Sequence, residues 1–299
     1  MSSAVDQPGP GSTGVLSDPP HRDTGRASGS DMARELANPL GTYLRVRRDL
    51  VTPEQAGLLV TGNRRVPGLR REELAMIAGI SADYYLRLER GKDRTPSPHV
   101  LEALARALQL DHDHFEHLKA LASEPSRVAT SSPQHEIPQT ARELIDALGH
   151  PAFIEDAYFD VLAANEAALE LNPRLQPGRN QIRDLYLDKD EQALHPDWDG
   201  VAACLTASLR HAMGNATDDP RFHQLTGELS RSSIRFQQIW ARHDVRAQRG
   251  AVVRLKHPRL GEQTFNREQL QLNGTDRLSL VIYYPRTPGE GTVTPSMNA

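Results

Sequence analysis

The chain has little of what several common classes of protein require. Its single cysteine, Cys204, cannot form an internal disulfide or supply a zinc site built from thiolates, and we expect it to be a buried small hydrophobe. The longest apolar runs, such as 278–284, are far shorter than the roughly 20 residues that cross a bilayer, and the first residues contain no apolar signal core. We therefore predict a cytoplasmic protein without a membrane association.

The motifs that catalysis and metal binding need are also missing. Ser232 and His243 invite a hydrolase interpretation, but no Gly-x-Ser-x-Gly elbow and no glycine-rich phosphate loop are present. Histidines and acids cluster at 111–117, yet only His114 and His117 share a helix face, and acids at a helix start complement its dipole. The sequence therefore predicts neither an enzyme nor a metal site.

Charge is distributed unevenly along the 299 residues. The net charge is -4, but the stretch from Gly41 to Arg94 contains eleven basic and seven acidic residues. This stretch therefore carries a charge of +4, and the rest of the chain carries -8. A basic segment on an acidic protein is typical of a chain in which one part contacts nucleic acid.

Composition divides the chain into five parts. A tail poor in large apolar residues, 1–35, is expected to be disordered. An all-α domain at 36–122 is followed by a Pro- and Ser-rich linker at 123–138, a domain of mixed structure at 139–287 and a flexible tail at 288–299.

Helical spacing and capping residues predict a compact unit of five helices in the first domain, with a short helix after Thr52-Pro53. The stretch 70–78 is helical, Gly79 breaks it, and Ser81 caps a second helix that Gly91 ends near Arg90. A helix, a tight turn and a helix are typical of a DNA-binding helix-turn-helix.

The motifs Arg-Arg-Glu-Glu-Leu-Ala, Ala-Gly-Ile-Ser and Leu-Glu-Arg-Gly closely resemble the XRE-type, phage-repressor-like helix-turn-helix family, and the resemblance extends over residues 40–122. It implies that residues at the start of the second helix face the major groove, with Ala82, Asp83 and Arg87 contacting base edges. The base-reading set is Ser81, Ala82, Asp83, Tyr84 and Arg87. Arg87 can bind guanine O6 and N7, Asp83 can accept from cytosine N4, and Ala82 can contact a thymine methyl.

Basic residues around the motif are candidates for phosphate contacts. The resemblance places a polar residue on the DNA backbone at the position of Arg71, where helix N–H groups also favour phosphate. The other candidates are Arg70, Arg90, Lys92 and Arg94; the alternative for each is a solvated surface charge. The resemblance also implies that Glu89 pairs with Arg48 or, less favourably, Arg47.

The second domain alternates between helical and strand patterns. Short β-rich runs with turns at 260–261 and 273–274 predict that it closes with an antiparallel sheet. The predicted helices are 139–148, 163–171, 198–212 and 222–241, and the predicted strands are 153–154, 159–162, 252–257, 263–265 and 278–284.

Four motifs in this domain, Leu209-Arg210, 233–236, Trp-Ala-Arg-His-Asp-Val at 240–245 and His-Pro-Arg-Leu-Gly at 257–261, resemble the ligand-binding domain of MmyB-like regulators. The resemblance covers about 141–285 and implies a PAS-like α+β fold that binds a small molecule. A fatty acid is one ligand reported for that family, and no other cofactor is implied.

Large apolar side chains in the helices suggest where such a ligand would bind. Trp198, Leu209, Phe236 and Trp240 could line an apolar pocket, with Arg210 or Arg235 facing an acidic head group. The alternative is that Phe236 and Trp240, four residues apart, are ordinary core.

These observations predict a regulator that binds a DNA operator as a homodimer and whose second domain senses a small, apolar or fatty-acid-like effector. The alternative is a DNA-binding regulator whose second domain is a dimerisation or protein-interaction module without a ligand.

Overall fold

A computed structural model describes residues 37–59, 64, 66–123, 137–214, 219–247, 250–273, 275 and 278–286. The predicted tails at 1–35 and 288–299 and nearly all of the predicted linker at 123–138 lie outside the described residues. The predicted domain boundaries therefore stay predictions.

The described part of the first domain contains five α-helices, so the predicted all-α unit is confirmed. Leu44, Leu74, Tyr85, Leu88 and Leu104 are fully buried and form the centre of its core. The helices are α1 (Pro39–Leu50), α2 (Arg71–Ile77), α3 (Ala82–Glu89), α4 (Pro98–Ala107) and α5 (His112–Ala122).

The prediction of a short helix after Thr52 is wrong. Thr52 and Gln55 exchange the hydrogen bonds of a helix start, with Oγ1 of Thr52 accepting from the Gln55 N–H at 3.3 Å. Gly57 then adopts a φ of +75°, and the segment remains a series of turns. A capping pair begins a helix, but a residue in the left-handed region ends it after one turn.

The turn between α2 and α3 forms as predicted. Gly79 has a φ of +67°, a conformation that side-chain-bearing residues rarely adopt, and the Ile80 N–H bonds back to the Ala75 carbonyl at 3.0 Å. Ser81 is extended and caps α3. The turn sets the angle between α2 and α3.

The described part of the second domain combines helices with a five-stranded sheet, which confirms the predicted α+β class. Its helices are α6 (Gln139–Ala147), α7 (Glu166–Leu171), α8 (Gln181–Leu187), α9 (Lys189–Leu194), α10 (Trp198–Met213), α11 (Pro220–Ser232) and α12 (Ile234–Trp240). Its strands are β1 (Ala152–Glu155), β2 (Val161–Ala164), β3 (Ala251–His257), β4 (Gly261–Gln271) and β5 (Ser279–Pro285). No helix in the described ranges is long and apolar enough to span a membrane.

The sheet has the strand order β2-β1-β5-β4-β3, and every neighbouring pair is antiparallel, as predicted. One apolar cluster surrounds Phe153 and Val281 on the sheet, and another, among the helices, contains Leu209, Phe236 and Trp240. The second cluster contains three of the six residues predicted to bind a ligand, and Trp198 packs against it.

Three predicted elements of this domain need correction. The single helix at 222–241 is two helices, because Ser233 is extended and its Oγ accepts from the Phe236 N–H at 3.1 Å to begin α12. The strand at 159–162 is β2, shifted to 161–164, since Phe159 lies in a turn with a φ of +66°. The helix expected from residue 163 consequently begins at Glu166 as α7.

Candidate DNA-binding surface and ligand-binding domain

The N-terminal end of α3 presents the predicted base-reading residues to solvent. Ser81 Oγ accepts a hydrogen bond from the Tyr84 N–H at 3.1 Å, which fixes the helix start. Ser81, Ala82, Asp83 and Arg87 are exposed and Tyr84 is half-buried, whereas Tyr85 and Leu88 on the opposite face are fully buried. The buried face anchors the helix and leaves the other available to a partner.

Arg87 and Asp83 pair with each other in the free protein. Arg87 Nη1 lies 3.0 Å from Asp83 Oδ2, and the guanidinium carbon lies 5.2 Å from the centroid of the Tyr84 ring. Their side chains are 47% and 79% exposed, so solvent screens the pair and little free energy opposes its opening. The pair can therefore open when another hydrogen-bonding partner approaches.

Glu89 joins α1, α2 and α3 at the back of the motif. Its side chain is 3% exposed and accepts from Arg48 Nε at 2.8 Å and from Arg71 Nε at 2.6 Å. Burial raises the pKa of Glu89, but hydrogen bonds from Arg71 and Arg48 outweigh it and hold the pKa below its ordinary value. The predicted pair with Arg48 is confirmed; Arg47 instead contacts Asp244.

The predicted phosphate-contacting residues are all exposed. Arg71 is half exposed although one side of its guanidinium binds Glu89. Arg70, Arg90 and Lys92 are exposed, and Arg94 donates to the carbonyls of Gly91 and Ala37 at 3.2 and 3.4 Å.

Two supporting contacts were not predicted. Arg64 binds both carboxylate oxygens of Glu73 at 2.8 Å, and this hydrogen bonding lowers the pKa of Glu73 to about 2. Asn38 donates to the Glu89 carbonyl at 2.8 Å. The helix at 70–78 was predicted from its apolar residues, but no local signal indicated that Arg64 would fold back onto it.

The predicted ligand-binding residues separate into an inner and an outer group. Leu209, Phe236 and Trp240 are buried, with the Phe236 and Trp240 rings stacked at 5.5 Å. Arg210 is 1% exposed; its guanidinium lies 3.7 Å from the Trp240 ring centroid and donates to the Trp240 carbonyl at 2.8 Å. These four residues are brought together.

The other two predicted ligand-binding residues lie further out. Trp198 is half-buried and donates from Nε1 to the Leu185 carbonyl at 2.8 Å. Arg235 is near the surface, where Nε lies 2.9 Å from Asp199 Oδ1. Arg235 therefore has a carboxylate partner on α10 and is not in the group around Trp240.

Comparison with protein families accounts for both parts of the chain. Residues 39–118 match a helix-turn-helix domain, and residues 137–292, just over half of the chain, match the MmyB-like transcription regulator ligand binding domain. The chain belongs to the MmyB-like transcription regulators. A search of curated proteins finds no match. Both matched families are regulatory, one for DNA binding and one for ligand binding.

This MmyB-like regulator also contains a buried ion pair that sequence reasoning missed. Glu155 on β1 is completely buried and accepts from Arg267 Nη2 on β4 at 3.1 Å and from the Gln181 side chain on α8. Burial raises the pKa of Glu155 to about 7, against the lowering effect of Arg267. The partners are 112 residues apart in the chain, and only the sheet order brings them close.

Two of the histidines at 111–117 contact neighbouring side chains of the first domain. His114 Nδ1 lies 2.8 Å from Asp111 Oδ1, and the His117 ring packs edge-on against Tyr43 at 5.2 Å. Within the described ranges, no three His, Cys, Asp or Glu residues are grouped to hold a metal ion. Cys204, expected to be buried, is partly exposed, with Arg246 Nη1 3.9 Å from its sulfur.

Proposed function

We propose that this transcription regulator reads a specific DNA operator through the N-terminal half of α3. The observation that carries the proposal is the division of α3 into a buried face, with Tyr85 and Leu88, and an exposed face, with Asp83 and Arg87. Such a helix can lie in the major groove without exposing its core. We propose that Arg70, Arg71, Arg90, Lys92 and Arg94 contact the flanking phosphates and that the protein binds as a dimer.

Replacing Arg71 with alanine tests the phosphate role. We expect affinity to fall on every DNA sequence and the slope of log K against log salt to shrink by about one, because one phosphate contact and its released counterion are lost. Fluorescence anisotropy with labelled duplexes over a salt series measures both quantities. An unchanged slope would contradict the phosphate role and leave Arg71 as a partner of Glu89 alone.

For the second domain we propose a small, apolar or fatty-acid-like effector. The match to a ligand-binding family supports a small-molecule ligand, and the apolar surroundings of Leu209, Phe236 and Trp240 favour an aliphatic one. Arg210 is the better candidate for an acidic head group than Arg235, because Arg210 is buried beside Trp240 whereas Arg235 lies at the surface with Asp199.

A specific observation also favours the second candidate, an interaction module without a ligand. Phe236 stacks on Trp240, and Tyr186 and Phe222 pack against the same pair. Rings that pack closely against one another form a core without any ligand.

Calorimetric titration with a long-chain fatty acid, with and without operator DNA, separates the two candidates. If effector binding favours one DNA-binding arrangement, the acid must change operator affinity and DNA must change acid affinity by the same factor, typically about 5- to 150-fold.

Leu209→Trp provides a second test. If Leu209 borders a ligand pocket, the larger side chain should fill the pocket and remove acid binding. A lower melting temperature for this variant would instead show that Leu209 lies in a filled core. Absence of acid binding by the wild type would favour the interaction module or another effector.

A further inference from the structure

The segment that follows α12, residues 241–247, belongs to the second domain and packs against the first. Val245 is 4% exposed, and its side chain belongs to the apolar cluster of the helix-turn-helix domain rather than to a cluster of its own domain. This cluster also contains Tyr43 and Leu44 of α1 and Leu118 of α5. An apolar side chain from the ligand-binding domain thus completes the core of the DNA-binding domain.

Polar contacts fix the segment on both sides of Val245. Asp244 Oδ1 lies 3.5 Å from Arg47 Nη1 on α1, and the Ala247 N–H donates to Asp113 Oδ2 on α5 at 3.1 Å. The Arg246 N–H donates to the Ala207 carbonyl of α10 at 3.3 Å. The segment is therefore bonded to helices of both domains at once.

Three side chains next to this contact are buried, of which one is cationic and two are neutral. His117 of α5 is 3% exposed, His243 is 6% exposed and Arg210 is 1% exposed. Burial first, and then the charge of Arg210, lowers the pKa of both His117 and His243 well below its ordinary value. Neutral histidines and excluded solvent are typical of a packed contact rather than a chance approach of two surfaces.

The same helix connects this contact to the DNA-binding surface. Arg47 and Arg48 are neighbours on α1: Arg47 faces Asp244, whereas Arg48 binds Glu89, which in turn binds Arg71. A change in the position of α1 would therefore alter the group that holds α2 and α3 together.

We propose that residues 241–247 are an interdomain latch, through which docking of the ligand-binding domain stabilises α1 and the DNA-reading arrangement behind it. Through this latch, the second domain can affect the DNA-binding surface although none of its own residues contacts DNA. The DNA part of this proposal rests on the proposed function, and the docking part does not.

Hydrogen exchange of the full-length protein tests the docking part without DNA. Val245→Ala should raise amide exchange in α1 and α5 about tenfold, because deleting buried methyl groups leaves a cavity where the latch enters the core. Val252→Ala, at a half-exposed position on β3, is the matched control and should leave both helices unchanged. Unchanged exchange in α1 and α5 for Val245→Ala would overturn the latch.

Operator binding by Asp244→Asn tests the second part with a variant that keeps the buried core intact. We expect affinity for DNA selected by the wild-type protein to fall about fivefold, a coupling of ordinary size, with an unchanged salt slope since no phosphate contact is lost. Asp199→Asn, which breaks the ion pair with Arg235 away from the latch, should bind as the wild type does. Unchanged or tighter binding by Asp244→Asn would overturn the route. Loss of binding by the wild type itself would instead refute the proposed function.

Discussion

Glu89→Gln should lower the free energy of unfolding of the helix-turn-helix domain by about 3 kcal/mol, the lower end of the range for breaking a buried ion pair. The side chains of Glu89 and Arg48 are 3% and 8% exposed, so the guanidinium would keep its burial while losing its main counter-charge. Glutamine can still accept one hydrogen bond, and Arg48 retains the Leu69 carbonyl at 2.6 Å and Asp49 at 2.8 Å. These remaining contacts are why we expect the lower end.

Urea denaturation followed by circular dichroism measures this loss, and the pH dependence provides an internal check. Because the pKa of Glu89 lies below the ordinary 4.5 in the folded protein, its contribution is present above pH 4.5 and is lost as the pH falls through the folded value. The difference in free energy of unfolding between the wild type and Glu89→Gln should therefore become smaller as the pH falls below 4.5. Glu116→Gln, which breaks an exposed pair with Lys119, is the control and should change stability little. Equal losses in the two variants would contradict the structural role of Glu89.

Arg87→Ala should cost about 1–3 kcal/mol on the preferred operator and relax the preference at one base pair. The free protein already pairs Arg87 with Asp83, so Asp83→Ala should leave the guanidinium less well oriented and weaken the same base preference. Arg90→Ala is the comparison, because a phosphate contact should weaken binding to all sequences alike. If Arg87→Ala also weakened all sequences equally, Arg87 would be a phosphate contact.

The parts of the fold that were predictable depend on local chemistry. Gly79 and Ser81 define the turn and the start of α3 within three residues, and short-range caps of this kind are visible in a sequence. The division at Ser233 also depends on a cap, but apolar residues at helical spacing continue across it, with Leu229 before and Phe236 after, and this pattern suggested one helix. Helices α8 and α9 were missed because they are only seven and six residues long, too short for a helical period to stand out.

The site was predictable only where a motif defined it. The pair of Glu89 with Arg48 followed from resemblance to a known family, whereas Arg71 as a second partner needed the packing of α2 on α3. Arg47 and Asp244 are 197 residues apart, and no periodicity relates residues on separate domains. Such contacts depend on the tertiary arrangement, which composition and spacing do not determine.

Selection from a random pool of duplex DNA, performed with the wild-type protein and with Arg87→Ala, tests the central claim most directly. We predict that the wild type enriches one motif that contains a guanine, present as two half-sites about 10 base pairs apart if the protein binds as a dimer, and that Arg87→Ala loses the preference for this guanine. Recovery of unenriched DNA by the wild-type protein, or of the same motif by both proteins, would contradict a regulator that reads its operator through α3.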